Sequence, residues 1–284
     1  MTGGVYDKCH LVLSIGSSFD TVSTLTQETL LDFRNITVLR DGRRALDGLT
    51  VSIGLGESTA IVGPNGSGKS TLIKTLMREC YPLDREDASL TIFGKDRWRL
   101  FDLRPMLGIV SPDWLELCSR QITGHEAVLS GFFSSTEIWP HNELTPEMQE
   151  KADQVMDLLE ITHLASHRTD QMSSGEIRRV LIGRALVHEP RALILDEPTA
   201  ALDLRAVRDF REVLRKITRA GTMLVLVTHH LPDIIPEISR VVLMKNGQVF
   251  RDGPKEDVLG SSSLSQLFDM PIEVIQRDGY YSAL

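Results

Sequence analysis

Residues 58–71 read STAIVGPNGSGKST. The stretch begins with an apolar run of strand length that ends at Val62, and residues after Lys69 place apolar side chains at helical spacing. The part between them, Gly63–Ser70, matches the pattern GxxxxGK[ST] in full. A glycine-rich turn of this kind between a strand and a helix predicts a loop that binds phosphate. The simpler alternative is an ordinary glycine-rich turn before a helix.

The residue types in this loop suit phosphate chemistry. Glycines let backbone N–H groups turn inward and approach phosphate oxygens, and the helix N-terminus adds a partial positive charge. Lys69 is expected to bridge the β- and γ-phosphates, and the Ser70 hydroxyl to ligate Mg²⁺. The loop therefore predicts that the chain binds the phosphates of a nucleotide together with Mg²⁺. The loop residues predicted to bind the nucleotide, which the family resemblance described below implies to be ATP, are Gly63, Pro64, Asn65, Gly66, Ser67, Gly68, Lys69, Ser70 and Thr71.

A second apolar run, Leu193 to Leu195, ends in two acids, Asp196 and Glu197. We expect this strand to place Asp196 beside the phosphate loop, where it holds Mg²⁺ directly or through water. Glu197 is then positioned as the general base that activates or orients the attacking water. Taken alone, an acidic pair at a strand end is equally typical of a solvated surface. The phosphate loop upstream favours the catalytic interpretation.

The pattern along the chain predicts an α/β fold. Strand-like runs between Leu30 and Ile53 flank a turn at Asp41-Gly42, and helical spacing follows from Thr71 to Cys80. Between about 112 and 183 the strand signal disappears, which predicts a helical insertion. Afterwards strands and helices alternate, a pattern typical of a parallel sheet covered on both faces. Asn246-Gly247 predicts a closing hairpin with a type I′ turn. We expect residues 1–27 to form a loosely ordered extension.

Composition excludes several classes of protein. The 284 residues are 42% hydrophobic and 25% charged, which is ordinary globular usage, and the net charge of −8 disfavours nucleic acid as a ligand. The three cysteines, Cys9, Cys80 and Cys118, show no CxxC spacing and suggest a reducing compartment. The sequence has no apolar run of membrane-spanning length and no basic, apolar signal peptide. We therefore expect a soluble cytoplasmic protein.

Further motifs follow the phosphate loop in a fixed order. Met172–Glu176 precedes a helix, where Ser173 or Ser174 can serve as a simple N-cap; Asp196-Glu197, Ala201–Asp203 and Thr228-His229 come later. In this order the motifs resemble those of the ATP-binding subunit of ABC proteins, over about residues 30–255. The resemblance implies a P-loop NTPase (RecA-like) parallel sheet core, an antiparallel β subdomain and a helical insertion subdomain. The predicted ABC ATPase domain spans 28–255, followed by a C-terminal extension, 256–284.

The same resemblance implies roles for the remaining motifs. In the family two such domains dimerise head to tail, and the signature helix of one points at the γ-phosphate held by the other. Asp203 resembles the aspartate at the dimer contact. His229 resembles the switch histidine that contacts the γ-phosphate and fixes the water, with His230 beside it as a bystander. The residues expected to act in trans are Ser173, Ser174, Gly175 and Glu176, with Met for Leu, Ser for Gly and Glu for Gln in the signature.

Two positions depart from the family pattern. An aromatic residue usually stacks on adenine upstream of the phosphate loop; here the stretch is Val38–Gly42, and Arg40 is the expected occupant. The family's glutamine after the strand at Leu107 to Val110 is replaced by Ser111 or Pro112, which affects coupling to the helical insertion more than nucleotide binding. The Val-Ser-Pro run resembles small bacterial ABC ATPases of the molybdate or iron-chelate type.

The resemblance implies that a homodimeric or paired ATPase closes around two ATPs and drives a separate membrane permease. That partner would place the chain at the inner face of the cell membrane. Two alternatives remain at this point: a soluble regulator without a permease, and a slow nucleotide sensor. Aromatic residues of the insertion could dock either partner or form the insertion's own core. They are Trp114, Phe132, Phe133 and Trp139. A gene neighbour encoding membrane spans would favour the permease.

Overall fold

The computed structural model describes residues 28–112 and 121–284. The predicted extension 1–27, together with Cys9, Trp114 and Cys118, lies outside the described residues. Two sheets and a helical region make up most of the described chain, and a small hairpin follows near the C-terminus. The helical region begins where the hydrophobic pattern of the sequence changes from strand-like to helical spacing.

The first sheet is antiparallel and three-stranded, in the order β2-β1-β4. Its strands are β1 (Thr29–Arg40), β2 (Arg43–Gly54) and β4 (Ser89–Ile92). The turn between β1 and β2 has positive φ at both Asp41 (51°) and Gly42 (74°), as a tight primed turn requires. This sheet confirms the predicted antiparallel subdomain.

The second sheet has six strands in the order β5-β6-β7-β3-β8-β9. All neighbours pair in parallel except β8 and β9, which form the antiparallel hairpin predicted around Asn246-Gly247. Strands β3, β6 and β7 are buried along their whole length, as expected for a parallel sheet covered on both faces. The strands are β3 (Thr59–Val62), β5 (Leu107–Val110), β6 (Ala192–Asp196), β7 (Met223–Thr228), β8 (Arg240–Lys245) and β9 (Gln248–Pro254).

Helices follow several of these strands. Their bounds are α1 (Lys69–Leu76), α2 (Leu100–Leu103), α3 (Gly124–Leu129), α4 (Pro146–Leu158), α5 (Ser174–Leu186), α6 (Leu204–Arg219), α7 (Lys255–Val258) and α8 (Ser261–Phe268). Helix α1 ends earlier than the apolar spacing predicted. Arg78 adopts a φ of 61°, and the N–H groups of Glu79 and Cys80 both donate to the carbonyl of Lys74. These bonds close the helix by satisfying a terminal carbonyl, so the prediction of a helix to Cys80 was wrong.

Among its described residues, the predicted helical insertion contains α3, α4 and the first part of α5. Helix α4 begins as the sequence indicated, with the Thr145 hydroxyl accepting from the Met148 N–H and Pro146 in the first turn. Helices α3, α4 and α5 pack closely around Gly183, where an added Cβ would lie 3.1 Å from Val128 and 3.2 Å from Leu159. The apolar faces of these helices share one core with the large sheet.

Residues after β9 are ordered against that same core. Leu264 and Leu267 of α8 are fully buried. A hairpin of β10 (Val274–Arg277) and β11 (Tyr280–Ala283) then returns along the molecule and buries Tyr281. The weak sequence pattern in this region gave no sign of such packing. Within residues 28–112 and 121–284, no helix has the length and apolar character needed to cross a bilayer.

Candidate functional site

Three predicted motifs meet at one edge of the large sheet. Val62, the last residue of β3, is the register partner of Thr228 at the end of β7. Asp196, the last residue of β6, is the partner of Val227 on the other side of the same strand. Parallel strands end at a common edge, so the phosphate loop, the acidic pair and the histidine converge there.

The phosphate loop has a backbone that only glycine accepts at two positions. At Gly63 an added Cβ would lie 2.3 Å from the Met244 carbonyl oxygen, so the loop backbone is in close contact with β8, the sheet neighbour of β3. Gly68, the N-cap of α1, has a φ of 103°. The β8–β9 turn supports the loop from behind, because the Gly247 N–H donates to the Ser67 carbonyl at 3.0 Å.

Lys69 points back over this loop. Its ammonium donates to the carbonyl of Gly63 at 2.7 Å and to that of Pro64 at 3.2 Å. The same group lies 3.7 Å from Glu197 Oε1. Burial lowers the pKa of the Lys69 ammonium, and the nearby carboxylates of Glu197 and Asp196 oppose that shift. The side chain thus places a desolvated positive charge over the phosphate loop, held by the carbonyls of Gly63 and Pro64.

Glu197 connects the lysine to the histidine. Its Oε2 lies 2.8 Å from Nδ1 of His229, while its Oε1 faces Lys69. The residue adopts a φ of 47°, an uncommon backbone state for glutamate, and its N–H donates to the Val227 carbonyl at 2.8 Å. The left-handed turn directs the carboxylate away from β6 and across to the end of β7. The His229 ring also packs against the ring of His230, with the ring centroids 3.8 Å apart and the planes tilted by 41°.

A cleft of about 210 Å³ opens beside the loop. Arg40 at the end of β1, Ser70 and Asp196 are among the residues that line it. The structure therefore places the predicted base-stacking residue and the two predicted metal ligands around one cavity. Within residues 28–112 and 121–284, no three His, Cys, Asp or Glu side chains lie together as a metal site. One hydroxyl and one carboxylate fit a Mg²⁺ ion that draws its other ligands from phosphates and water.

Ser111 is one of the two residues, with Pro112, that occupy the place where the resemblance implies a coupling glutamine. Its side chain is buried, and its hydroxyl has no hydrogen-bond partner among the described residues. A small second cavity also contains Ser111, together with Asp196, Glu197 and the largely buried Arg178 of α5. Burial lowers the pKa of the Arg178 guanidinium. A serine reaches less far than a glutamine, and the long side chain that the helical region contributes to this cavity is Arg178.

The signature residues form a capping box at the start of α5. The Ser173 N–H donates to the Glu176 carboxylate at 2.8 Å, and the Glu176 N–H donates to the Ser173 hydroxyl at 3.4 Å. The Ser173 hydroxyl and backbone N–H hold the pKa of the Glu176 carboxyl below its ordinary value. These hydrogen bonds stay within the helix terminus, so the structure does not join the signature to the phosphate loop of the same chain. Asp203 likewise caps α6, accepting from the Ala206 N–H at 2.8 Å.

The aromatic residues of the insertion divide between core and surface. Phe132 packs against the core and makes an edge contact with His188, with ring centroids 5.2 Å apart. Trp139 is half exposed, and its indole N–H donates to the Ser135 hydroxyl at 3.1 Å. A groove of about 140 Å³ separates this region from α1 and β5, with Arg104 and Arg184 in its lining.

Two residues of the site, Asp233 and Thr199, were not predicted from the sequence. Asp233, in a short 3₁₀ turn, is 2% exposed and accepts a hydrogen bond from the Thr228 hydroxyl at 3.1 Å. The Thr199 hydroxyl bonds to the same carboxylate oxygen. The only signal in the sequence was an acid soon after the His229-His230 pair, which is common at surfaces.

Comparison with known proteins identifies relatives along most of the chain. The family model described as ABC transporter matches residues 46–200. An ABC transporter ATP-binding protein of Streptococcus mutans is 31% identical over 253 residues, which is 88% of this chain and 95% of the relative. The hemin import ATP-binding protein HmuV of Streptomyces coelicolor is 32% identical over 240 residues, covering 82% of this chain and 81% of its own length.

Solved structures agree with these relatives. An ATP-binding cassette of an ABC transporter in its ADP conformation has a TM-score of 0.71 and 26% identity, covering 85% of this chain and 97% of the cassette. A dimeric cassette in a post-hydrolysis state, bound to ADP and Pi, has a TM-score of 0.64 and 25% identity. It covers 79% of this chain and 98% of that cassette. The fold around the candidate site is therefore that of nucleotide-binding cassettes.

Proposed function

This chain belongs to the ABC transporter family and is an ATP-hydrolysing, ATP-binding subunit; from that premise we propose how its own residues perform the reaction. The observation that carries the proposal is the line of contacts from Lys69 through Glu197 to His229. It places a cation, a carboxylate and an imidazole within hydrogen-bonding or ion-pairing distance at the mouth of the phosphate loop.

Residues Gly63–Thr71 bind the phosphates of ATP. The loop backbone supplies N–H groups for the phosphates. Glycine at 63 and 68 lets this loop lie against the neighbouring strands, where an added Cβ would collide with the carbonyl oxygens of Met244 and Ala45. Lys69 supplies the charge, exchanging its carbonyl partners for phosphate oxygens. Ser70 and Asp196, which line the same cleft, would hold Mg²⁺, and that ion would neutralise charge on the β- and γ-phosphates. Arg40 stacks its guanidinium on the purine.

Glu197 acts as the general base on the attacking water. One of its oxygens contacts His229 Nδ1, which fixes the carboxylate's orientation and leaves the other oxygen facing the loop. His229 is one-third exposed, so its ring can also contact a phosphate or water at the cleft. In phosphoryl transfer the principal task of a protein is to hold the attacking water in line with the phosphorus. Glu197 and His229 together hold the water in this position.

A second cassette completes the site. Ser173 and Ser174 are exposed at the start of α5, where they can meet the γ-phosphate bound by a partner in a head-to-tail dimer. Asp203 and the 91% exposed Leu204 lie at the start of α6 and form part of that contact. The dimeric cassette among the structural relatives supports this arrangement.

The dimer drives a separate membrane permease, which holds it at the inner face of the membrane. Relatives named as import ATP-binding proteins for hemin and phosphonates support a transport role over the regulator and sensor alternatives. A gene neighbour with several membrane spans, and co-purification of its product with this chain, would test that partnership directly.

Glu197→Gln tests the composite site. The amide keeps the side-chain shape, removes the base and removes negative charge facing the phosphates. Turnover is expected to fall at least about a hundredfold while ATP still binds. The variant is also expected to accumulate as an ATP-bound dimer on size-exclusion chromatography. Glu189→Gln, which removes an exposed carboxylate paired to Lys151, serves as the control.

Ser173→Arg, added to Glu197→Gln, is expected to abolish the dimer and leave monomer ATP affinity within a factor of a few. Thr145→Arg is its matched control, because it removes the N-cap of α4 in the same helical region without touching α5. A Glu197→Gln protein that stays monomeric at saturating Mg-ATP and retains turnover would overturn the composite-site proposal.

A further inference from the structure

A buried carboxylate lies behind the proposed catalytic pair. Asp233 is 2% exposed, and its Oδ2 accepts hydrogen bonds from the hydroxyls of Thr228 and Thr199. Thr228 directly precedes His229, and Thr199 follows Glu197 by two residues. One carboxylate oxygen therefore joins the segment after β6 to the segment after β7.

These hydrogen bonds lie beside Glu197 and the backbone that follows His229. The Thr228 hydroxyl lies 3.5 Å from Glu197 Oε2 and also accepts from the His230 N–H at 3.0 Å. Glu197 has a left-handed backbone, which persists only where surrounding contacts hold it. Asp233 provides such a contact, because it fixes Thr199 on the C-terminal side of that turn.

The charge of Asp233 is balanced from outside the site. Arg211 of α6 lies 3.6 Å from Asp233 Oδ1 and has 22% of its side chain exposed. On its other side, the guanidinium lies 5.7 Å from the ring centroid of Tyr280, at the start of β11. The hairpin backbone is held nearby, since an added Cβ at Gly279 would lie 3.1 Å from Pro236.

We propose that Asp233 is a positioning residue for Glu197 and His229, and that the C-terminal hairpin controls it through Tyr280 and Arg211. This proposal rests on the assignment of Glu197 and His229 to the hydrolytic step. In this role Asp233 acts through Thr199 and Thr228 and does not itself contact the phosphate or the attacking water. The hairpin, formed by the last part of the chain, thereby becomes part of the support for the ATPase centre. A partner or modification that displaced the hairpin would change the rate of hydrolysis.

Arg215, one turn after Arg211 on α6, provides a matched control for the removal of Arg211. Arg215 forms an ion pair with Glu237 at 2.9 Å, between the same helix and the same loop region as Arg211 and Asp233. The Arg215–Glu237 pair makes no contact with Thr199 or Thr228 among the described residues. Removing this ion pair should lower the free energy of unfolding without changing the orientation of Glu197.

The first experiment measures steady-state ATP hydrolysis in Arg211→Met, Tyr280→Ala, Asp233→Asn and Arg215→Met. Misplacement of catalytic groups by less than an ångström lowers kcat more than KM. We expect kcat to fall about tenfold in Arg211→Met and Asp233→Asn and about threefold in Tyr280→Ala, with KM within twofold of wild type. Tyr280→Phe retains the ring and should rescue the rate. Arg215→Met should leave kcat within twofold.

The second experiment needs no nucleotide. The imidazole ¹⁵N resonances of His229, assigned by comparison with His229→Gln, report the contact between Nδ1 and Glu197. We expect them to shift in Arg211→Met and Tyr280→Ala and to stay in place in Arg215→Met. This measurement also covers the case in which Asp233→Asn fails to fold.

Each outcome is decisive. Equal losses of kcat in Arg211→Met and Arg215→Met, or unchanged kcat and unchanged His229 resonances in Arg211→Met and Tyr280→Ala, would overturn the positioning role. If Glu197→Gln retained turnover, the proposed hydrolytic site would fail by itself. The His229 resonances would still show whether the hairpin controls the geometry of this edge.

Discussion

The ammonium of Lys69 and the carboxylate of Glu197 approach to 3.7 Å across the mouth of the phosphate loop. The first group ends a loop after β3, and the second follows β6, two strands away in the sheet. Their side chains are 5% and 16% exposed, so the pair lies in a partly desolvated site where charges interact more strongly than in water. A phosphate that binds Lys69 must therefore compete with Glu197, which couples binding to the position of the base.

Lys69→Ala should weaken ATP binding about tenfold or more. A charge-assisted hydrogen bond contributes roughly 1.5–3 kcal/mol, and Lys69 is the one cation within the loop motif. Isothermal titration calorimetry measures the affinity, and circular dichroism checks the fold. Lys95→Ala, which removes a lysine packed over Trp98 away from the loop, should bind ATP as wild type does. An unchanged affinity in a folded Lys69→Ala protein would contradict the assignment.

The base ring should be recognised with little selectivity. If Arg40 stacks on the purine, its guanidinium meets adenine and guanine faces alike, so ATP and GTP should be hydrolysed with kcat/KM values within a few-fold. Arg40→Ala should weaken both nucleotides equally, whereas Arg44→Ala on the next strand should weaken neither. A hundredfold preference for ATP, about 2.7 kcal/mol, would instead indicate another group that reads the adenine amino edge.

Two glycines of the loop should respond differently to alanine. Gly66 has a φ of 82° with open space around it, so Gly66→Ala should cost only the backbone strain, roughly 1–2 kcal/mol. Gly68 has a φ of 103°, and an added Cβ would lie 2.6 Å from the Ala45 carbonyl oxygen. Gly68→Ala must also move backbone, so its loss of unfolding free energy should be larger. Urea unfolding compares the two variants, and equal losses would contradict this account of the loop.

The capping box at α5 should lose its effect in acid. The Ser173 hydrogen bonds hold the pKa of the Glu176 carboxyl below its ordinary value, so the carboxylate contributes its full stabilisation to the fold above that ordinary value. The stabilisation should disappear as the pH falls through the lower, folded-state pKa. A double-mutant cycle of Ser173→Ala and Glu176→Gln, measured by urea unfolding, should therefore show coupling at pH 7 and less at pH 3. Coupling that is independent of pH would exclude the ionised carboxylate as its source.

Local sequence determined much of this protein. The phosphate loop, the turns at Asp41-Gly42 and Asn246-Gly247, and helix α6 are all specified by residues within a few positions of one another. Their glycines, caps and periodicities act on the adjacent backbone, so a pattern of types is enough to predict them. The early end of α1 was missed, because Arg78 breaks the helix with a conformation for which glycine, not arginine, is the usual signal.

Tertiary structure alone decided how the candidate site is held together. Asp233 meets Thr199 across 34 positions of sequence, and Tyr280 meets Arg211 from the last hairpin of the chain. Neither contact has a periodic or motif signature, because each depends on the order β6-β7-β3 in the sheet and on where the C-terminal hairpin returns. The order of the strands and the place where the C-terminal hairpin packs are both set by the packing of the whole core. The sequence therefore predicted which side chains are candidates for the chemistry, and the folded chain decided which side chains contact and hold them.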